Sequence, residues 1–224
     1  MTVVTRWWWI RHDKVDNPER RLYGQSDIKA ITGDPGPYAR LAPRLPEDAI
    51  WICSHLSRTR DTAEALRPHL EALGHSPPEP LVHRDLAEQD FGEWQGLNLS
   101  ELRTHLGDGF DVLWRDPGNA EPPGGESFAQ VIARVGRAVE HFSREHAGRD
   151  IVAFAHGGSI RAALAVALKL EPAAALSFQI RNLSLTRIDH LVPGDPPTLG
   201  LRNPWQVHQV NHLHPEDDED ETRR

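Results

Sequence analysis

Residues 2–13 of the 224-residue chain read TVVTRWWWIRHD, and this stretch decides the fold. Val, Ile and Trp favour β-strands, and a nearly continuous apolar run is typical of a parallel strand covered on both faces. The run stops at Arg11 and His12. Because ligands bind beyond the carboxyl ends of the strands in an open α/β sheet, this pair is placed to border a binding crevice. Taken alone, however, the pair more readily marks a strand that reaches solvent, so the rest of the chain has to decide.

Composition limits the class of protein. The formal net charge of −8 argues against non-specific binding to nucleic acid or to anionic membranes, although half of that charge lies in residues 216–224. The single cysteine, Cys53, excludes an intrachain disulfide and fits a reducing compartment. No signal peptide and no stretch of about 18 apolar residues is found. We therefore expect a soluble cytoplasmic protein without membrane or nucleic-acid partners.

The pattern of apolar runs and breakers predicts one α/β domain over residues 1–214 and an acidic, disordered tail over residues 215–224. A long Pro- and Gly-rich loop, Lys14–Ala42, follows the first strand, and such loops are usually functional or disordered. A second Pro- and Gly-rich connection covers Gly107–Gly125. Further strands are predicted at Ala49–Cys53, Leu81–His83, Asp150–Ala155, Ser177–Ile180, Ser184–Ile188 and Trp205–Asn211, the last three as closing, antiparallel strands. Helices are predicted at 37–45, 57–70, 98–106, 128–146 and 159–168.

A second predicted strand also ends in a histidine. His156 follows Asp150–Ala155 and precedes Gly157-Gly158 and an alanine-rich helix. This order repeats the geometry of the opening stretch and places the backbone N–H groups of a helix N-terminus beside His156. Such groups form an anion-binding nest.

Two further segments carry charged candidates. Arg58 falls in the first turn of the helix after Ala49–Cys53, where a cation gains nothing from the helix dipole. It suits either the binding of an anion or simple exposure to solvent. Glu88, Asp90 and Glu93 lie in a glycine-punctuated loop and offer a general acid, but a solvated acidic turn has the same composition.

Together these segments resemble one family. The segments are Arg11-His12, SHLSRTRDTA at 54–63, LAEQDFGEWQG at 86–96, GGES at 124–127, AHGGSIR at 155–161 and NLSLT at 182–186. They are similar to the motifs of the histidine phosphatase superfamily, in the branch of cofactor-dependent phosphoglycerate mutases and related small-molecule phosphatases. The resemblance implies a three-layer α/β fold with a mainly parallel sheet, helices on both faces and a small cap at about residues 88–125.

The resemblance also implies roles for individual residues. His12 is expected to attack phosphorus as a neutral imidazole and form a phosphohistidine. Arg11, Arg58 and a protonated His156, with the amide of Gly157, are expected to hold the phosphoryl oxygens. Glu88 is expected to protonate the leaving alkoxide and then deprotonate water. Asn17 and Gly24, in the long loop, are further candidates for substrate binding. No metal or other cofactor is implied.

Two residues depart from the family pattern. Asp13 stands where the family usually has glycine, so its carboxylate either points away, repels highly charged substrates or competes as a proton donor. Asn17 follows His12 by one residue less than the usual asparagine, which weakens its assignment to phosphate.

Several alternatives stay open. We predict hydrolysis of small phosphomonoesters, against a phosphoglycerate mutase or a catalytically silent phospho-ligand binder. The segment between the acid loop and His156 is short, with only Arg103 and Arg115 in its 97–125 part, which favours the phosphatase. His208, His212 and His214 lack the Cys or carboxylate pattern of a metal site. Trp7–Trp9 is expected in the core rather than as a base-stacking platform. The natural substrate and the oligomeric state, including a homo-oligomer, are left open.

Overall fold

A computed structural model describes residues 2–192 and 203–217. The strands are β1 Val3–Arg11, β2 Ala49–Cys53, β3 Leu81–Val82, β4 Asp150–Ala155, β5 Leu185–Val192 and β6 Trp205–His212. The α-helices are α1 Pro35–Leu41, α2 Ser57–Glu71, α3 Leu99–Leu106, α4 Gly109–Arg115, α5 Phe128–Glu145, α6 Gly157–Leu168 and α7 Pro172–Ala175. Helices and strands alternate through much of this order, as expected for an α/β protein.

The strands form one six-stranded sheet in the order β3-β2-β4-β1-β5-β6. The first four are parallel to one another, β5 pairs antiparallel with β1, and β6 pairs antiparallel with β5, which confirms the mainly parallel sheet. β1 and β4 pair in a register that sets Arg11 opposite Ala155. His12 and His156, the next residues, therefore leave the sheet side by side.

Alternate side chains of the central strands point to opposite faces of the sheet. Trp7 and Trp9 pack on the face covered by α5 and α6, whereas Ile10 packs on the face covered by α1 and α2. The three-layer prediction is thus confirmed. Burial along β1 is not continuous, since Val3 is exposed and Trp8 is half-buried. Arg187 of β5 lies over the ring of Trp8 at 4.6 Å, and Trp8 Nε1 donates to Asp150 Oδ1.

Two predictions about local structure are wrong. Gly107–Gly125 contains helix α4, whose Phe110 is buried in a small separate cluster with Trp94 and Leu102. Ser177–Ile180 is not a strand. Its backbone carbonyls serve arginine side chains instead of a sheet ladder: Phe178 O accepts from Arg161 Nε, and Ile180 O accepts from Arg11 Nη1.

The beginning of the predicted tail is tied to the domain. Glu216 and Asp217 form ion pairs with Arg40 of α1. Residues 218–224 lie outside the described residues. Within the described part of the chain, none of the helices has the length and apolar character needed to cross a membrane.

Candidate active site

The candidate site lies at the carboxyl ends of three neighbouring strands. Arg11 and His12 come from β1, Ser54 follows β2, and His156 follows β4. The rings of His12 and His156 have their centroids 5.1 Å apart, and both side chains are buried. The parallel register therefore brings together residues that are far apart in the sequence, as the strand-end argument predicts.

The hydrogen bonds of His12 fix its tautomer. Its Nδ1 lies 2.7 Å from the backbone carbonyl oxygen of Asp13, which can only accept. Nδ1 therefore carries the proton, and Nε2 keeps a free lone pair. Burial, and then the charges of Arg11 and Arg58, hold the pKa of His12 well below its usual value, so the ring is neutral. A neutral imidazole with a free Nε2 can act as a nucleophile.

Arg58 is wholly buried and is not a surface arginine. Its Nη2 donates to Gly24 O at 2.6 Å and its Nη1 to Ser26 O at 2.9 Å, so the long loop grips the guanidinium. The ring of Tyr23 lies under the guanidinium at 4.9 Å. The carbonyl of Gly24, a predicted substrate-binding residue, thus holds Arg58, and the contact of Gly24 with substrate stays a prediction.

His156 is neutral as well. Arg58 Nε donates to its Nδ1 at 3.2 Å, so Nδ1 is the acceptor and Nε2–H donates to Ser54 Oγ at 2.7 Å. Burial, and then the charge of Arg58, hold the pKa of His156 well below its usual value. This arrangement favours a neutral His156 over the protonated ring that the sequence predicts, because a buried ring beside a guanidinium resists a further positive charge.

Arg11 offers an uncommitted donor. Its Nε is buried and has no hydrogen-bond partner within the described residues, while its Nη1 is tied to Ile180 O. A Cβ built on Gly157 would lie 3.8 Å from Arg11 Nε and 3.6 Å from Arg161 Nη1, so Gly157 sits between two guanidiniums. Buried donors in native proteins are normally satisfied, so this one is suited to an anionic ligand.

The helix N-terminus at α6 already binds a carboxylate. Gly158 N donates to Glu88 Oε1 at 3.0 Å and to Oε2 at 3.2 Å, and Gln89 N donates to Oε1 at 2.9 Å. A Cβ on Gly158 would lie 2.0 Å from Glu88 Oε1, so only glycine admits this contact. The predicted anion nest beside His156 therefore exists, but Glu88 of the protein itself occupies the Gly158 amide.

The two departures from the family pattern have definite places. Asp13 Oδ2 accepts from Tyr38 OH at 2.7 Å and Oδ1 accepts from Lys14 N at 2.7 Å, so the buried carboxylate turns towards α1. Burial raises the pKa of Asp13. The side chain of Asn17 is bonded at both ends to the backbone of Arg21, at 2.9 Å each. These bonds close the loop turn, and the role of Asn17 in phosphate binding stays a prediction.

The C-terminal histidines make other contacts. His208 Nε2 lies 3.0 Å from Asp189 Oδ2 across β5 and β6. Among residues 2–192 and 203–217, no group of three or more His, Cys, Asp or Glu side chains is arranged to hold a metal ion.

Four contributors to the site were missed in the sequence. Tyr23 lies under Arg58, Ser54 accepts from His156, Arg161 flanks Gly157, and Asn182 Nδ2 donates to His12 O at 2.7 Å. Ser54, Arg161 and Asn182 lie inside the motif segments, so the sequence could have indicated them as site residues. Tyr23 carries no comparable signal, since its place depends on the path of the long loop.

Two strand-end histidines beside the buried Arg58 and the partly buried Arg11, on a three-layer α/β fold, define an α/β protein with a candidate anion-binding site. A family model described as "Histidine phosphatase superfamily (branch 1)" matches residues 7–195, and the chain belongs to this family.

Sequence relatives and solved structures carry different activities in their names. A 2,3-bisphosphoglycerate-dependent phosphoglycerate mutase of Methylobacterium radiotolerans is 38% identical over 115 residues, which cover 50% of this chain and 54% of that protein. The chain thus spans about half the length of that relative. A mutase of the same description from Gloeobacter violaceus is 30% identical over 83% of this chain and 85% of its own. The structure of a mycobacterial glucosyl-3-phosphoglycerate phosphatase is 26% identical, with a TM-score of 0.75 over 93% of this chain and 99% of that one.

Proposed function

We propose that the protein hydrolyses small phosphomonoesters through a phosphohistidine on Nε2 of His12. The observation that carries the proposal is the state of His12: neutral, protonated on Nδ1 by its bond to Asp13 O, and set beside the charges of Arg11 and Arg58. Phosphoryl transfer depends mainly on in-line placement and on positive charge around the equatorial oxygens, and Arg11 and Arg58 supply that charge beside His12.

In the first step, the lone pair of His12 Nε2 forms a bond to phosphorus as the bond to the ester oxygen breaks. The leaving oxygen takes a proton from the Glu88 carboxyl group and departs as an alcohol. Arg11 Nε and the free N–H groups of Arg58 stabilise the phosphoryl oxygens. His156 acts through Arg58, because its Nδ1 holds the guanidinium in place.

In the second step, ionised Glu88 takes a proton from water, and the resulting oxygen nucleophile attacks phosphorus as the bond between phosphorus and His12 Nε2 breaks. Inorganic phosphate leaves, His12 returns to the neutral state, and Glu88 is protonated again. Protons and charges balance over the cycle, and no metal or other cofactor takes part.

A phosphoglycerate mutase is the second candidate, and the names of the two sequence relatives favour it. The phosphatase is supported by the printed name of the structural neighbour, which covers nearly the whole of both chains. It is also supported by the segment at 88–125. Of its two isolated arginines, Arg103 stacks over Phe110 at 5.7 Å and Arg115 is exposed, so neither is set up to bind a substrate carboxylate.

The test combines labelling with a substrate panel. We expect release of inorganic phosphate from several phosphomonoesters, and an acid-labile, alkali-stable phosphate label that is absent in His12→Ala. His141→Ala, which removes a histidine exposed by 57% on α5, is the matched control and should keep both. A dominant isomerisation of phosphoglycerate that depends on 2,3-bisphosphoglycerate would establish the mutase instead. Absence of both label and turnover, with phosphate still bound, would leave a silent binder.

A further inference from the structure

A buried ion pair lies beneath the loop that carries Glu88. Arg134 of α5 meets Glu126 in a bidentate contact, with Nη2 at 2.7 Å from Oε1 and Nε at 2.9 Å from Oε2. The side chains are only 11% and 18% exposed. Screening by solvent is therefore weak, and the pair holds a defined geometry.

The remaining donors of Arg134 all go to the acid loop. Nη1 donates to Asp85 O at 2.7 Å and to Ala87 O at 2.9 Å, and Nη2 donates to Glu88 O at 3.0 Å. With the two bonds to Glu126, these contacts use all five N–H groups of the guanidinium. Arg134 therefore has no donor left for a ligand. Its bonds instead hold the backbone at Glu88 and in the residues just before it.

Glu126 holds the other side of the same loop. Its Oε1 accepts from Asp90 N at 3.0 Å. Its backbone N donates to Asp90 O, and its backbone O accepts from Gln89 Nε2, both at 2.9 Å. Gly125 permits this approach, because a Cβ there would lie 2.5 Å from Asp90 O. Residues 85–90 are thus fixed before, at and after the carboxyl-bearing position.

We propose that Arg134 and Glu126 are positioning residues that set the backbone of Glu88 so that its carboxyl group reaches Gly158 N. This inference rests on the proposed function, in which Glu88 is the general acid. A buried ion pair often stabilises a fold no more than apolar residues of similar volume would. A hydrogen-bonded clamp on the peptide units around one catalytic group is instead a means of placing that group within a fraction of an ångström.

The proposal predicts a dependence on the leaving group. An alkyl phosphate needs a proton on its departing oxygen, whereas p-nitrophenyl phosphate leaves as a stabilised anion. Arg134→Lys keeps the charge but cannot make five directed bonds. We expect kcat/KM for an alkyl phosphate to fall about tenfold or more, a part of the roughly 10²–10⁴-fold that a general acid supplies, with a loss of at most about threefold for p-nitrophenyl phosphate.

The controls separate positioning from general damage. Arg137→Lys changes an arginine one turn along α5 that is 67% exposed and 3.8 Å from Asp85, and it should leave the ratio of the two activities unchanged. Glu126→Gln is nearly isosteric and should shift the ratio in the same direction as Arg134→Lys. If Arg134→Lys fails to fold, as judged by circular dichroism, the ratio in Glu126→Gln decides the matter. Equal losses on both substrates, or no loss on either, would overturn the proposal.

Glu88→Gln distinguishes this inference from the proposed function. If Glu88→Gln loses alkyl phosphate turnover selectively while Arg134→Lys and Glu126→Gln do not, only the positioning role fails. If Glu88→Gln shows no selectivity, or His12 is never labelled, the proposed function itself fails.

Discussion

Replacing Gly158 by alanine is expected to displace the proposed acid without disturbing the fold. The new Cβ would lie 2.0 Å from Glu88 Oε1, and real Cβ atoms do not come this close to another heavy atom. The end of the glutamate side chain is the part free to move, so the carboxyl group should leave the N-terminus of α6 and lose the amide of Gly158. The backbone of α6 can accept alanine, which favours a helix over glycine by about 1 kcal/mol.

The magnitude follows from the lost contact. A hydrogen bond to a neutral carboxyl group contributes about 0.5–1.5 kcal/mol, which corresponds to roughly 2- to 13-fold in rate if it is needed to place the acid. We expect kcat/KM for an alkyl phosphate to fall in that range, with a much smaller change for p-nitrophenyl phosphate. The melting temperature should not fall appreciably.

Gly157→Ala is the companion variant. Its Cβ would meet its nearest neighbour, Arg161 Nη1, at 3.6 Å, which is ordinary van der Waals contact, so its loss should be the smaller of the two. Steady-state kinetics on both substrates, with a thermal melt of each variant, makes the comparison. Full alkyl phosphatase activity in Gly158→Ala would refute the reasoning that Glu88 must sit on this amide to act.

Three other properties can be checked. His12 and His156 have lowered pKa values, so below about pH 6.5 each binds more protons in the unfolded chain than in the folded one. In denaturant titrations, these two residues should together lower the free energy of unfolding by up to about 2.7 kcal/mol for each unit that the pH falls. Tyr38→Phe removes the donor to the buried Asp13 carboxylate and should cost about 1–3 kcal/mol by the same method, and an unchanged midpoint would contradict the contact. Burial raises the pKa of the Cys53 thiol to about 11, so iodoacetamide should label it only after unfolding, and rapid labelling of the native protein would argue against its burial.

The fold was largely accessible from the sequence because its signals are local. Apolar runs that end in polar residues identified β1, β2 and β4, and the helical spacing from Phe128 onward identified α5. Helix α4 was missed because its buried Phe110 packs on side chains outside the segment. Ser177–Ile180 was misread because its apolar pattern serves a loop whose carbonyls bind distant arginines.

The site was accessible only as a set of residue types. Motif similarity indicated His12, Arg58, Glu88 and His156, but the protonation of each imidazole depends on contacts across the sheet. The neutral state of His156 follows from Arg58, which lies 98 positions away in the chain. The sequence does not show which distant residues become neighbours in space. The charge states of the histidines and the partners of the backbone amides were therefore found only in the structure.

The register between β1 and β4 makes the apolar pattern of the first strand a determinant of chemistry. Trp7 and Trp9 lie in one core and Ile10 in the other, so they lock β1 against sliding. A slip by one residue would turn every side chain of the strand to the opposite face and shift it along the sheet by about 3.3 Å. His12 would then no longer lie beside His156, so the packing of two core tryptophans determines how the two imidazoles are aligned.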